Sequence, residues 1–249
     1  MAKFGLMVVK CQWFDSIPDR KHDFTGQTVI VTGSNTGIGI EAARQLVTFG
    51  ASKVIIAVRS TSKGEAAVKN ILASTKATSN VLEVWQLDLS NYDSIKAFAA
   101  RAEKLPRLDA LIQNAGMLSH KWKVTDGEEV QIRVNTLGAL LLGLLVLPKL
   151  RETGTKFGVR PKLSFVGSDI HYVTAFKEAN DPGPLLATLN DEEKSMMSDR
   201  SVLSSILIDY DSLTKYTDME LRNSCSYTVS VKLLLAIRSS PIQTSLSIL

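Results

Sequence analysis

Residues Thr32 to Gly39 read Thr-Gly-Ser-Asn-Thr-Gly-Ile-Gly, directly after the apolar run Thr28-Val29-Ile30-Val31 and before the helix-like stretch Ile40 to Val47. This arrangement suits a nucleotide pyrophosphate. Gly33, Gly37 and Gly39 carry no Cβ, so backbone can approach a phosphate closely, and the new helix offers unpaired N–H groups and the positive end of its dipole. Asn35 and Ile38 lie in the same turn and are read with the cofactor-contacting residues. A bare glycine-rich turn is commonly structural; the strand before it and the amphipathic helix after it give the functional reading its weight.

Other candidate binding residues follow later strand-like runs. Where a carboxylate would bond the adenosine ribose hydroxyls of NAD, this chain has Arg59-Ser60. Arginine makes charge-assisted bidentate bonds to phosphate, and Lys63 adds a second cation, so the residues predict NADP, with its 2′-phosphate, over NAD. The bland alternative is an ordinary solvated arginine. Asp88 can accept from an adenine amino group or belong to the N-cap region of the next helix. Asn114-Ala115-Gly116 supplies a small-residue turn where cofactor and backbone can meet.

These residues need elements to hold them. Strand-like runs recur at Thr28–Thr32, Lys53–Val58, Val81–Leu87, Asp109–Gln113 and Lys162–Val166, with helix-like segments at Ile38–Thr48, Lys63–Ser74, Tyr92–Leu105 and Glu128–Leu147 between them. Alternating β and α units imply an α/β fold, a doubly wound parallel sheet of Rossmann type with right-handed crossovers and helices on both faces. Ligands of such sheets lie at the carboxyl ends of the strands, which is where the residues above fall.

The 249 residues, 45% hydrophobic and 22% charged, predict one globular domain over 1–249. The net charge of +4 comes from scattered Lys and Arg with no dense basic stripe, which argues against a nucleic-acid partner. Cys11 and Cys225 lack metal-ligand spacing, so neither a disulfide framework nor a metal site is expected, and a reducing cytoplasm fits. No cleavable leader is read near Lys3 and Lys10. The apolar run Leu137 to Leu147 is too short to span a bilayer and is read as a buried helix closed by Pro148. Absence of a Gly-x-Ser-x-Gly elbow and of metal-ligand clusters argues against a hydrolase.

Together, Thr32–Gly39, Asp88, Asn114-Ala115-Gly116, Asn135 in Arg133-Val134-Asn135, and Ser168 after Phe165-Val166-Gly167 resemble the short-chain dehydrogenase/reductase family, particularly its fungal and retinol-dehydrogenase-like members. The resemblance runs from about residue 24 to residue 200. It implies that Asn135 holds a water in a proton relay, that Ser168 hydrogen-bonds the substrate oxygen, and that Tyr227 with Lys232 performs acid/base chemistry. The implied reaction moves a hydride between a nicotinamide and a carbonyl or alcohol carbon of a small molecule, in fungal secondary metabolism. Alone, Asn135 also suits a helix irregularity, Ser168 a strand-end cap, and His171 ordinary loop structure.

The chain departs from that pattern in three places. The family's Tyr-x-x-x-Lys puts both side chains on one helix face; here Tyr227-Thr228-Val229-Ser230-Val231-Lys232 is one residue longer, which turns Lys232 by roughly 100° unless a π-bulge absorbs it. Tyr92-Asp93-Ser94-Ile95-Lys96 has the family spacing but falls after the third strand, on the adenine side, and is read as coincidence. Residues 201–226 are an insertion of uncertain origin, and 227–249 are altered and shortened, leaving no counterpart of the family's last two strands and exposing Lys162–Val166 as an edge. Two readings follow: an NADP-dependent oxidoreductase, or a truncated, catalytically impaired relative that binds nucleotide or acts as an interaction module. A homo-oligomer is only weakly implied.

Overall fold

The computed structural model describes residues 23–75, 77–167 and 177–195. Ser168, His171, Tyr227, Lys232 and the whole of 201–249 lie outside the described residues. Five parallel strands form the sheet: β1 (Thr28–Thr32), β2 (Lys53–Val58), β3 (Leu82–Gln86), β4 (Ala110–Gln113) and, after a short antiparallel hairpin β5 (Val124–Thr125) and β6 (Glu128–Glu129), β7 (Lys162–Phe165). Their spatial order is β3-β2-β1-β4-β7. Between them run α1 (Gly37–Thr48), α2 (Thr61–Thr75), α3 (Tyr92–Glu103) and α4 (Val130–Phe157); α5 (Leu185–Leu189) follows β7.

The strands read as unbroken apolar runs because both faces are covered. Val29, Val31, Val54 and Ile56 point to one face and pack with Leu46 and Ile71 of α1 and α2. Ile30, Ile55 and Leu111 point to the other and pack with Phe98, Leu142 and Val146 of α3 and α4. Register runs Thr32 beside Ala57, Val31 beside Ile112 and Gln113 beside Phe165, so the carboxyl ends of β1, β2, β4 and β7 open on one edge. Chain order reverses between β1 and β4, making the crevice above them the natural ligand position.

One expected boundary is corrected. Pro148 does not close the apolar helix: α4 passes through it to Phe157 and ends at Gly158, whose φ of 64° makes a left-handed cap. Pro148 lies on the exposed side, while Lys149, Leu150 and Thr153 beyond it are buried. The Thr153 hydroxyl accepts the Leu108 N–H at 3.0 Å. Packing therefore carries the helix past a residue that local propensity treats as a stop. By length and composition α4 is apolar enough to cross a membrane, but Ala139, Leu142, Val146 and Leu150 are spent on the core.

Candidate functional site

β1 delivers the chain into the glycine turn, and two of its glycines are required by contact. At Gly33, φ is 66° and an added Cβ would stand 2.8 Å from Ala115 Cα; at Gly39 it would stand 2.5 Å from both Asn114 Nδ2 and the Gly33 carbonyl oxygen. The turn is thus pressed against the one after β4. Gly37, by contrast, faces open space. Thr36 is the N-cap of α1 in extended conformation and its side chain makes no capping bond. The first N–H groups of α1 therefore have no side-chain acceptor from the cap residue, next to Asn35 and to Ile38, which is 73% exposed. Such a terminus attracts an anion.

A buried hydroxyl sets the distance between the two turns. Thr32 Oγ1 accepts the backbone N–H groups of Asn114 at 3.0 Å and Ala115 at 2.9 Å, and Asn114 Nδ2 donates back to the Thr32 carbonyl at 3.0 Å. Gln113 Nε2 donates to the Ala139 carbonyl at 3.0 Å, tying the same strand end to α4. The small residues Ala115 and Gly116 follow at the crevice.

Arg59, at the carboxyl end of β2, and Lys63, in the first turn of α2, are exposed, and neither side chain has a partner among the described residues. Two unpaired cations beside a glycine turn favour an additional phosphate. Asp88 is partly occupied: its Oδ1 accepts from the Ser90 N–H at 2.9 Å and the Ser90 hydroxyl at 2.6 Å. The N-cap of α3 is Asn91, whose side chain accepts from Asp93 and Ser94.

Asn135 sits in a π-helical stretch of α4, Arg133–Gly138. Its side chain bonds outside the helix, with Oδ1 accepting the Met117 N–H and Nδ2 donating to the Met117 carbonyl, both at 2.8 Å. Gly138 lets the widened turn sit against β3's exit, since a Cβ there would come within 2.3 Å of the Leu89 carbonyl oxygen. Tyr92, despite its spacing from Lys96, is a structural donor: its hydroxyl bonds Glu128 Oε2 at 2.6 Å, and Arg133 stacks 4.2 Å from its ring centre. Burial, then the bond to Glu128, pushes its phenol above the ordinary tyrosine range. Lys96 is directed to Asp93, at 3.7 Å.

Residues 27–158, just over half of the chain, match the short chain dehydrogenase family. The chain belongs to the short-chain dehydrogenase family. Among its relatives, the short chain dehydrogenase/reductase dmxR8 of Cryptosporiopsis sp. is 43% identical over 183 residues, covering 73% of this chain and 56% of the relative. The short chain dehydrogenase FGM9 of Gibberella zeae is 37% identical over 217 residues, covering 86% and 63%. The chain thus spans less than two-thirds of the length of either. A metagenomic short-chain oxidoreductase solved in complex with NADP superposes with a TM-score of 0.53 at 24% identity, covering 77% of each chain, which supports the Rossmann-type fold. Proteins of this family bind a nicotinamide cofactor.

Within the family's frame, the structure brings Gly33, Asn35, Gly37, Ile38, Gly39, Arg59, Lys63, Asp88, Asn114, Ala115, Gly116 and Asn135 to the carboxyl side of the sheet. Sequence reasoning missed Thr32 as the linker of two turns, Gln113, Gln131, and the buried Arg133. The last binds the Ser90 and Thr125 carbonyls, Glu128 and Asp126, fastening the β5–β6 hairpin. Asp126-Gly127, both at positive φ, was the available signal, because this dipeptide closes tight hairpins.

Proposed function

We propose that this chain is an NADP-dependent oxidoreductase that interconverts a small-molecule ketone or aldehyde with its alcohol, in fungal secondary metabolism and in the cytoplasm. The observation that carries the reading is the uncapped N-terminus of α1, opened by Gly37, beside the unpaired Arg59 and Lys63. The cradle fits a dinucleotide: the α1 amides suit the pyrophosphate, Arg59 and Lys63 the 2′-phosphate, and the free Asp88 oxygen the adenine amino group. The NADP complex of the metagenomic relative supports this choice of cofactor. When bound, the nicotinamide supplies or accepts the hydride. In this reading Ser168 hydrogen-bonds the substrate oxygen, Asn135 serves the proton relay, and Tyr227 gives or takes the proton. Lys232 stabilises the tyrosinate, for which lowering a tyrosine from about 10 towards 7 takes roughly 4 kcal/mol.

The spacing of Tyr227 and Lys232 favours a second reading, nucleotide binding without hydride transfer. NADPH fluorescence titration with NADH as comparator, followed by turnover on a ketone panel, separates them. Arg59→Ala weakens NADPH binding roughly tenfold while sparing NADH, as loss of a charge-assisted bond predicts. Turnover abolished by Tyr227→Phe supports the enzyme; binding without turnover supports the second reading. A folded sample that binds neither nucleotide sinks both.

A further inference from the structure

Gln131 and Asn135 lie one turn apart on one face of α4, and both carboxamides reach the same stretch of chain. Asn135 holds the N–H and carbonyl of Met117 at 2.8 Å each, and Gln131 holds the N–H and carbonyl of Ser119 at 2.9 Å each. Bonds to both backbone groups of alternate residues are the pattern of a strand edge, with side-chain amides in place of a partner strand. Gln131 is fully buried. Leu118, between the two clamped residues, is the opposite: its side chain is 62% exposed, and its backbone N–H and carbonyl have no partner among the described residues. A lone exposed leucine is ordinary on a surface. This one has four hydrogen bonds fixing the residues on either side of it, in the segment that leaves the carboxyl end of β4 through Asn114, Ala115 and Gly116.

We infer that Gln131 is a positioning residue which, with Asn135, holds Met117–Ser119 as a fixed lip, and that Leu118 forms an apolar wall selecting a substrate with a hydrocarbon flank beside its reacting carbon. The substrate chemistry rests on the oxidoreductase reading above; the clamp does not. Burying an alkyl flank against Leu118 discriminates by chain length, and the clamp keeps the wall from folding back onto the protein. Loss of Gln131 therefore acts on the substrate through Leu118, leaving the glycine turn intact.

The test uses the full chain with Gln131→Met, which keeps side-chain length and loses both hydrogen-bonding atoms, and with Leu118→Ala, an exposed truncation that leaves the core alone. Amide exchange at Ser119 rises roughly tenfold or more in Gln131→Met while Met117 keeps its protection, and Gln131→Glu, retaining an acceptor, restores part of it. In NADPH-dependent reduction, the ratio of kcat/KM for 2-decanone to that for 2-butanone falls roughly tenfold in both Leu118→Ala and Gln131→Met, through KM for 2-decanone. An unmoved ratio, or unmoved Ser119 exchange, overturns the inference. If the wild-type chain reduces neither ketone, the oxidoreductase reading fails and labelling decides the lip. With Cys11→Ser and Cys225→Ser, the thiol of Leu118→Cys is modified by DTNB, and NADPH plus 2-decanone slows it roughly fivefold. A labelling rate that neither compound changes overturns the inference on its own.

Discussion

Gly39 has no room for a side chain. Its missing Cβ is filled by Asn114 and the Gly33 carbonyl, so Gly39→Ala forces the two turns apart. Overpacking of this kind costs about 1–3 kcal/mol, and urea unfolding measures it; NADPH affinity falls with it, because α1's amides are re-aimed. Thr32→Val is the complementary change. It keeps shape and removes the hydroxyl that accepts from Asn114 and Ala115. The Ala115 N–H loses its acceptor while that of Asn114 keeps the Ile112 carbonyl at 3.1 Å, so stability drops by about 1 kcal/mol, with faster amide exchange at Ala115 as the specific signature. The glycines were legible in the chain because their spacing is local. The partner of Thr32 lies 82 residues away in the chain, and no local pattern announces it.

At the scale of elements, Arg133 decides whether the hairpin after β4 stays docked on α4. Arg133→Met leaves Glu128 and the exposed Asp126 without their cation and frees the Ser90 and Thr125 carbonyls, a loss of about 1–3 kcal/mol, set mainly by the unpaired carbonyls because water reaches both carboxylates. Arg133→Lys recovers little, since an ammonium cannot reproduce the fork. Hydrogen exchange across Val124–Glu129 reports both. Tyr92 belongs to the same cluster and gives it a pH dependence. Its raised pKa means that the folded state keeps the proton to higher pH than the unfolded chain does. The stabilisation is complete below about pH 10 and is lost as pH rises through the folded value. Urea unfolding of Tyr92→Phe is accordingly less sensitive to pH above about 10 than that of the wild type.

Across the whole molecule, the two faces of the sheet bury separate apolar layers while one edge of it gathers the exposed cations and the uncapped helix. That charge is solvent-facing, so it is sensitive to salt. Any preference for NADPH over NADH through Arg59 and Lys63 narrows as ionic strength rises from about 0.05 to about 0.5 M, where screening shortens to a few ångströms. Parallel titrations of both nucleotides at the two salt levels check this. A preference that salt leaves untouched assigns the discrimination to other residues.

Local patterns determined much of this protein. The apolar period and the glycine turn placed β1, β2 and α1 to within a residue, because a strand buried on both faces and a helix opened by glycines are written in adjacent positions. The cofactor-side candidates followed from strand ends. Pairings between separate elements were not legible: Thr32 with Asn114, Arg133 with the Ser90 carbonyl, Gln131 with Ser119, and Pro148 carried inside a helix by the packing around it. Each depends on free energy contributed by a neighbouring element, which only the tertiary structure brings into contact.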